Sequence, residues 1–296
     1  MNVRYRPSRR VRRARLLLLV AALAATVFIL LQLAPQRSAA LKQDTPTGTS
    51  VARGDAITKD SPTPPVSADP AGTTLDAEIN GVLAQNTGYQ VGIALLNLNS
   101  GSLRQYGLGV PFEAASTAKV LTAVAFYKMV EAGDASLDEP MGAYTAGFQL
   151  QEMVQDSDND SWALLVDAVG QARLVEDMAA IGVSYDVDQN TLSAADMATV
   201  LADLYEGKLM NQQHTQQLLS YMQNTNDEDL IPAALPAGIT VFHKYGLLAG
   251  ELHDAAILTT PTRAMVLVIY TKGDDITDVP QRTELIHTIT AAVAKT

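Results

Sequence analysis

An apolar run with no polar face constrains this chain more than any other stretch. From Val120 to Val130 the positions Val120, Leu121, Ala123, Val124, Ala125, Phe126, Met129 and Val130 are apolar, and Gly133 follows as a stop. A helix apolar on most of its faces is a buried helix, which other elements must enclose. Directly before it stands Phe112-Glu113-Ala114-Ala115-Ser116-Thr117-Ala118-Lys119. If the helix starts near Ser116, that hydroxyl lies at the positive end of the helix dipole, which favours a developing alkoxide. Lys119, three residues on, shares its face. The pair makes a nucleophile and a possible base. It also fits a serine cap beside a solvated lysine, because Ser-x-x-Lys arises by chance once in about 220 residues at ordinary usage.

The ends of the chain differ in character. Seven of the 21 basic residues are arginines within residues 1–15, which hold no acid, so the rest sets 14 basic against 32 acidic groups. A body that acidic argues against nucleic acid as a partner. With no cysteine the chain has no disulfide, thiolate metal site or lipoprotein anchor, and His214, His243, His253 and His287 form no metal-binding spacing, so neither metal nor cofactor is expected. Behind the arginines an almost wholly apolar run spans residues 16–33, extended past Gln32 by Leu33. At 1.5 Å per residue it reaches about 27 Å, close to the thickness of a bilayer core. Arginines on its N-terminal side keep residues 1–15 in the cytoplasm and send the rest outward, giving a single-pass anchor. A cleaved signal peptide is the competing reading, since Ser38-Ala39-Ala40 offers small residues to a peptidase. Residues 34–72, rich in Thr, Ser and Pro, read as a disordered linker.

Residues 73–296 read as one globular domain. Leu75 to Ala84 has the pattern of a short amphipathic helix, Gln90 to Leu98 of a strand, and Ser102 to Tyr106 of its hairpin partner across Asn99-Ser100-Gly101. Helical segments follow from Ser116 to about Met222, with breaks at Gly133, Gly170, Gly182 and Gly207. Strand patterns return at Ile239–Tyr245, Ala255–Thr259 and Ala264–Thr271, and an amphipathic helix over Val279–Ala294 closes the chain. Two strands, a long helical insertion, three strands and a helix predict an α+β fold. Its centre is a five-stranded antiparallel sheet flanked by helices, with an inserted all-helical subdomain.

Two further motifs join the first. Ser157-Asp158-Asn159 precedes the apolar face Trp162, Leu164, Leu165 and Val169, where it also reads as a helix cap. His243-Lys244-Tyr245-Gly246 lies on a late strand, where the glycine permits close backbone approach by a ligand. Ser116-x-x-Lys119, Ser157-Asp158-Asn159 and Lys244-Tyr245-Gly246, in this order, resemble the S-x-x-K, S-D-N and K-T-G set of class A β-lactamases and penicillin-binding proteins. Ser193-Ala194-Ala195-Asp196-Met197-Ala198 and His253-Asp254-Ala255-Ala256 are similar to that family as well, and the likeness covers about residues 75–296.

The resemblance implies a β-lactamase/transpeptidase-like fold and acyl transfer without a cofactor. Ser116 would attack an amide or lactam carbonyl, and Lys119 would take its proton, its pKa lowered by burial and by the charge of Lys244. Ser157, assisted by Lys244, would relay a proton to the leaving nitrogen. Asn159 would bond the substrate's acylamino group or Lys119, and the N–H groups of Ser116 and Leu247 would form an oxyanion hole. Tyr245, Gly246 and Leu247 would line the substrate. A plain salt bridge from Lys244 to Asp254 or Glu251 is the competing role for that lysine. Two departures stand out. Tyr245 and Leu247 replace the family's hydroxyl residues, which makes ordinary penicillin recognition doubtful and the pocket more apolar. The interval Gly182–Thr191 holds no Glu to activate a deacylating water, and Asp186 and Asp188 are its acids. The expectation is an exported, monomeric, membrane-tethered serine hydrolase, acylated by a β-lactam or a peptidoglycan-derived substrate and slow to deacylate. A D-Ala-D-Ala carboxypeptidase-type peptidase, or a penicillin-binding sensory domain without turnover, is the alternative.

Overall fold

The computed structural model describes residues 70–296. The arginine cluster, the expected membrane anchor and most of the expected linker lie outside them. No helix among the described residues is long and apolar enough to cross a membrane. The first element, α1 (Pro70–Gln85), begins inside the stretch read as linker. Proline is suited to a first helical turn, because its missing N–H would have no partner there.

Strands β1 (Gln90–Asn97) and β2 (Ser102–Gly107) form the predicted hairpin, and the short β3 (Phe112–Glu113) follows. A 3₁₀ turn, Ala115–Ala118, leads into α2 (Lys119–Ala132). The expected start of the α-helix at Ser116 is therefore three residues early. Residues up to Ala118 belong to the tighter 3₁₀ turn instead, which opens on Ala115 in the left-handed conformation at φ 48°. The helix ends as foreseen on Gly133, in the left-handed conformation at φ 81°. Two-residue strands β4 (Pro140–Met141) and β5 (Tyr144–Thr145) precede α3 (Ala146–Gln155), α4 (Asn159–Val169) and α5 (Gln171–Ala179). The remaining elements are β6 (Thr191–Leu192), α6 (Ala194–Tyr205), α7 (Gln212–Tyr221), β7 (Thr240–Leu248), β8 (Glu251–Thr259), β9 (Ala264–Lys272) and α8 (Val279–Ala294).

The main sheet has the order β2-β1-β9-β8-β7, antiparallel throughout. Both faces are covered, which is why its central strands read as near-continuous apolar runs. Ile93, Leu95, Ala256, Leu258, Leu267 and Ile269 pack with Leu75 and Ile79 of α1 and with Leu285, Ile286, Ile289 and Val293 of α8. The alternate positions Ala94, Ala255, Ile257, Val266, Val268 and Tyr270 join the larger core of the helical insertion, with α2 at its centre. From Lys119 through Tyr127 every residue of α2 is buried, so the apolar run is enclosed as its sequence demands. That enclosure fixes the mouth of α2 against strand β7, the free edge of the sheet.

Candidate active site

The serine stands on a turn held from three directions. Ala114 N–H donates to Asn190 O at 2.7 Å, and Asn190 Nδ2 donates to Ala115 O at 3.2 Å. Thr117 Oγ1 donates to Ala114 O at 2.7 Å and lies 2.8 Å from the hydroxyl of Tyr270, which donates in turn. Strand β7 closes the third side. A Cβ at Gly246 would lie 3.1 Å from Ala115 Cβ and Ser116 N and 3.2 Å from Ala114 O. Gly246 thus lets β7 lie close against the nucleophile turn, where a side chain would be tight. Ser116 itself is half-buried, and its Oγ takes no hydrogen bond among the described residues.

Lys119, the first residue of α2, is fully buried. Its Nζ donates to Ser157 O at 2.7 Å and to Asn159 Oδ1 at 2.7 Å, and lies 3.2 Å from Ser157 Oγ. The ring of Trp162 covers it at 5.2 Å. Burial lowers its pKa to about 8 against the opposing pull of Asp158. A neutral amine has two N–H groups and one lone pair. Ser157 O and Asn159 Oδ1 occupy the two donors, so the lone pair is left for a hydroxyl proton.

Ser157 and Asn159 reach this point through a turn of unusual backbone. Ser157 has φ 55°, a conformation that costs a non-glycine residue roughly 1–3 kcal/mol. Asp158 then caps α4, accepting from Ser161 N at 2.7 Å. The motif is therefore a helix cap and part of the site at once. Asn159 Oδ1 is committed to Lys119, which turns its amide N–H₂ outward.

Lys244, on β7, completes the array. Its buried Nζ donates to Ser157 Oγ at 2.9 Å and to Tyr245 O at 3.1 Å. Ser157 Oγ thus lies between two lysines. Burial and then the charge of Lys119 push Lys244 well below its usual value, against the pull of Asp254 and Asp227. Of the two causes expected at Lys119, burial acts as foreseen, whereas the repulsion between the two lysines lowers Lys244 rather than Lys119. The alternative salt bridge is not formed: Glu251 pairs with Lys272 at 2.7 Å, and Asp254 accepts from His243 Nδ1 at 2.9 Å and from Ile231 N at 3.0 Å. His243 is buried between Asp254 and Glu228. Burial opposes its charge, but the two carboxylates prevail and raise it to about 10.

Backbone parity places the remaining donors. His243 N–H leaves the sheet to reach Met222 O at 2.8 Å, so alternate residues along β7 direct their N–H groups to the free edge. Leu247 shares that parity, on the same edge where Gly246 abuts Ser116 N.

Sequence reasoning missed Asn190, Trp162, Asn226 and the pairing of His243 with Asp254. Asn226 Nδ2 donates to Asp156 O at 2.7 Å, and its Oδ1 accepts from Tyr245 OH, joining the Ser157 turn to β7. Asn190 carried one signal: asparagine is among the few residues that tolerate a left-handed backbone, and its φ is 50°. Asp186 and Asp188 are exposed, and Asp186 Oδ1 accepts the N–H groups of Asp188 and Gln189 within its own turn.

Known proteins share this arrangement of elements. PBP-A is similar at 26% identity and a TM-score of 0.69, over 75% of this chain and 95% of that one. A variant of PBP-A in an acyl-enzyme complex with penicillin-G is similar at 25% identity and a TM-score of 0.69, over 75% and 96% of the two chains. A β-lactamase from Xanthomonas campestris pv. campestris has the same fold at 21% identity and a TM-score of 0.70, over 76% and 98%. No curated protein sequence matches the chain. The sequence profile of the β-lactamase enzyme family matches residues 74–296, from α1 to the last residue, and the chain belongs to that family.

Proposed function

We propose that the protein is a serine acyl-transfer enzyme in which Ser116 is acylated by a β-lactam, amide or ester carbonyl and the acyl-enzyme is slow to hydrolyse. The observation that carries this reading is the convergence of Lys119 and Lys244 on Ser157 Oγ, at 3.2 and 2.9 Å, beside the Ser116 turn. Lys119, with its pKa near 8, serves as the base for Ser116. Ser157 passes a proton between the lysines and the leaving group. Asn159 holds the acyl portion of the substrate, and the N–H groups of Ser116 and Leu247 meet the developing oxyanion. Such donors are typically worth about 3 kcal/mol each. Slow deacylation is supported by the loop at residues 182–191, whose two acids are exposed, the Asp186 carboxylate being engaged in its own turn. The acyl-enzyme of the PBP-A variant with penicillin-G is the state this reading expects to persist here. The same loop favours a second reading, a penicillin-recognising domain that is acylated without turnover.

The arginine cluster and the apolar run at residues 16–33 support an uncleaved anchor that places a monomeric domain outside the cytoplasm, near cell-wall peptides. The test of the chemistry is intact mass of the full chain incubated with penicillin G, beside Ser116→Ala. The expected result is an adduct that forms slowly, lasts for hours and is absent from Ser116→Ala. Rapid multiple turnover would sink the slow-deacylation reading, and an adduct that survives in Ser116→Ala would remove the serine from its role.

A further inference from the structure

Lys244 is the cation that an anionic substrate group would seek, yet the structure covers it. The ring of Tyr245 lies 4.1 Å from Lys244 Nζ, and the Tyr245 hydroxyl donates to Asn226 Oδ1. Asn226 is fixed in turn, its N–H on Gln155 O at 3.0 Å and its Nδ2 on Asp156 O at 2.7 Å. Those two residues immediately precede Ser157. Tyr245 and Asn226 therefore form a strap from the edge of β7 to the Ser157 turn, across Lys244. The ammonium has Ser157 Oγ and Tyr245 O as partners and an aromatic face beside it. The other lysine of the site, Lys119, is turned to Ser157 and Asn159. Leu247 follows Tyr245 on the same side of the strand and is 45% exposed, as is Leu248. A carboxylate entering here would be desolvated against a phenol ring and the exposed Leu247 without a free cation, which is costly. An uncharged apolar group would gain contact area instead.

We propose that Tyr245, strapped through Asn226 to the Ser157 turn, makes the site selective for acyl donors whose leaving portion is neutral and apolar. The proposal rests on acyl transfer at Ser116. With an aryl ester, Ser116 Oγ bonds to the carbonyl carbon, the bond from that carbon to the aryl oxygen breaks, and the serine proton ends on the departing phenol. Water then releases the acid and restores the serine hydroxyl.

The experiment compares 3-carboxyphenyl phenylacetate with its methyl ester. Phenol release by the full chain is measured in wild type, Tyr245→Thr, Tyr245→Phe and Ser116→Ala, each rate divided by the uncatalysed rate. Wild type is expected to prefer the neutral ester by about tenfold, the equivalent of one charge-assisted contact. Tyr245→Thr should shift the ratio toward the acid by about the same factor. Tyr245→Phe keeps the ring but frees it from Asn226 and should give a smaller shift, which also serves if Tyr245→Thr does not fold. Preference of wild type for the acid would overturn the proposal. So would a ratio unchanged in every folded variant. Release of neither phenol in a Ser116-dependent way would overturn acyl transfer itself, and this proposal with it. Ser116-dependent release in the wrong ratio removes the strap alone.

Discussion

On one side of the Ser116 turn, side chains from α2, β7 and the Ser157 turn converge until nearly every polar atom has a partner. Lys119, Ser157, Asn159 and Lys244 form one connected array. On the other side, the loop from Gly182 to Thr191 touches the same turn only through Asn190, an amide, and directs Asp186 and Asp188 to solvent. An amide oxygen has negligible basicity, whereas a buried lysine near pH 8 is a usable base. The contrast is between a connected array suited to the acylation step proposed above and a loop whose two acids face solvent.

The largest effect should come from the tied side. Lys119→Met keeps the length and apolar stem of the residue and removes the base, and acylation of Ser116 should fall about a thousandfold. Stopped-flow mixing with a reactive ester measures it, with a thermal melt to show that the fold survives. In wild type the same rate should climb with pH as Lys119 loses its proton, levelling above about 8. A loss below tenfold in Lys119→Met would return the role of base to another group.

Next comes stability beneath the turn. His253 is fully buried, stacks on Tyr270 with ring centres 4.3 Å apart, and accepts Thr271 N–H on Nδ1 at 3.1 Å. Its Nε2 therefore carries the proton and donates to Glu113 O at 2.8 Å, just before the nucleophile turn. Burial, chiefly, lowers its pKa from 6.5 to about 4. A folded-state value below the unfolded one means full stability above pH 6.5. As pH falls, the unfolded chain takes up a proton that the folded one refuses until about pH 4. The loss over that window should approach about 3 kcal/mol. Urea unfolding from pH 7 to 4 measures it, and His253→Gln should flatten the curve. An equal slope in both proteins would show that the carboxylates set the acid limit instead.

Much of this was legible in the sequence. Central strands buried on both faces announce themselves as apolar runs, and α2, apolar all round, had to be interior. Three motifs in order pointed to Ser116, Lys119, Ser157 and Lys244, because each is short and sits at the start of a helix or on a strand whose pattern is clear. What escaped were contacts between side chains far apart in sequence. Nothing local marks Asn226 as the partner of Tyr245, or Asp254 as the partner of His243 rather than Lys244. The start of α2 was misplaced for a related reason. The left-handed backbone at Ala115 is imposed by Asn190 and Gly246 from outside, against alanine's own preference for a helix.

A smaller effect tests the side-chain hydrogen bond between the two sides, leaving the backbone bond from Ala114 N–H to Asn190 O in place. Asn190→Gly deletes the side-chain bond to Ala115 O and the partner of Tyr185 OH, while glycine accepts the φ of 50° without strain. With one hydrogen bond lost at the turn, acylation should slow by about tenfold, since misplacement of a nucleophile costs rate before it costs fold. Deacylation should hardly change. A variant whose acyl-enzyme persisted markedly longer would show that Asn190 positions the hydrolytic water, and the loop would then belong to the chemistry.

The smallest expected effect bears most directly on the contrast. Asp186→Asn and Asp188→Asn each remove a charge from an exposed turn. Asp186 Oδ1 accepts two backbone N–H groups, at 3.0 Å each, and the asparagine carbonyl can accept the same pair. The turn should therefore survive, and the lifetime of the acyl-enzyme should change by less than about twofold, as for a surface charge screened by water. Time-resolved intact mass after a penicillin pulse reads this lifetime. If either variant held its adduct at least tenfold longer than wild type, that aspartate would be the deacylating base, reaching the ester in a loop conformation other than this one. A flat result in both would leave no acid in the loop to clear the serine, and the acyl-enzyme would be the end state that this architecture is built to reach.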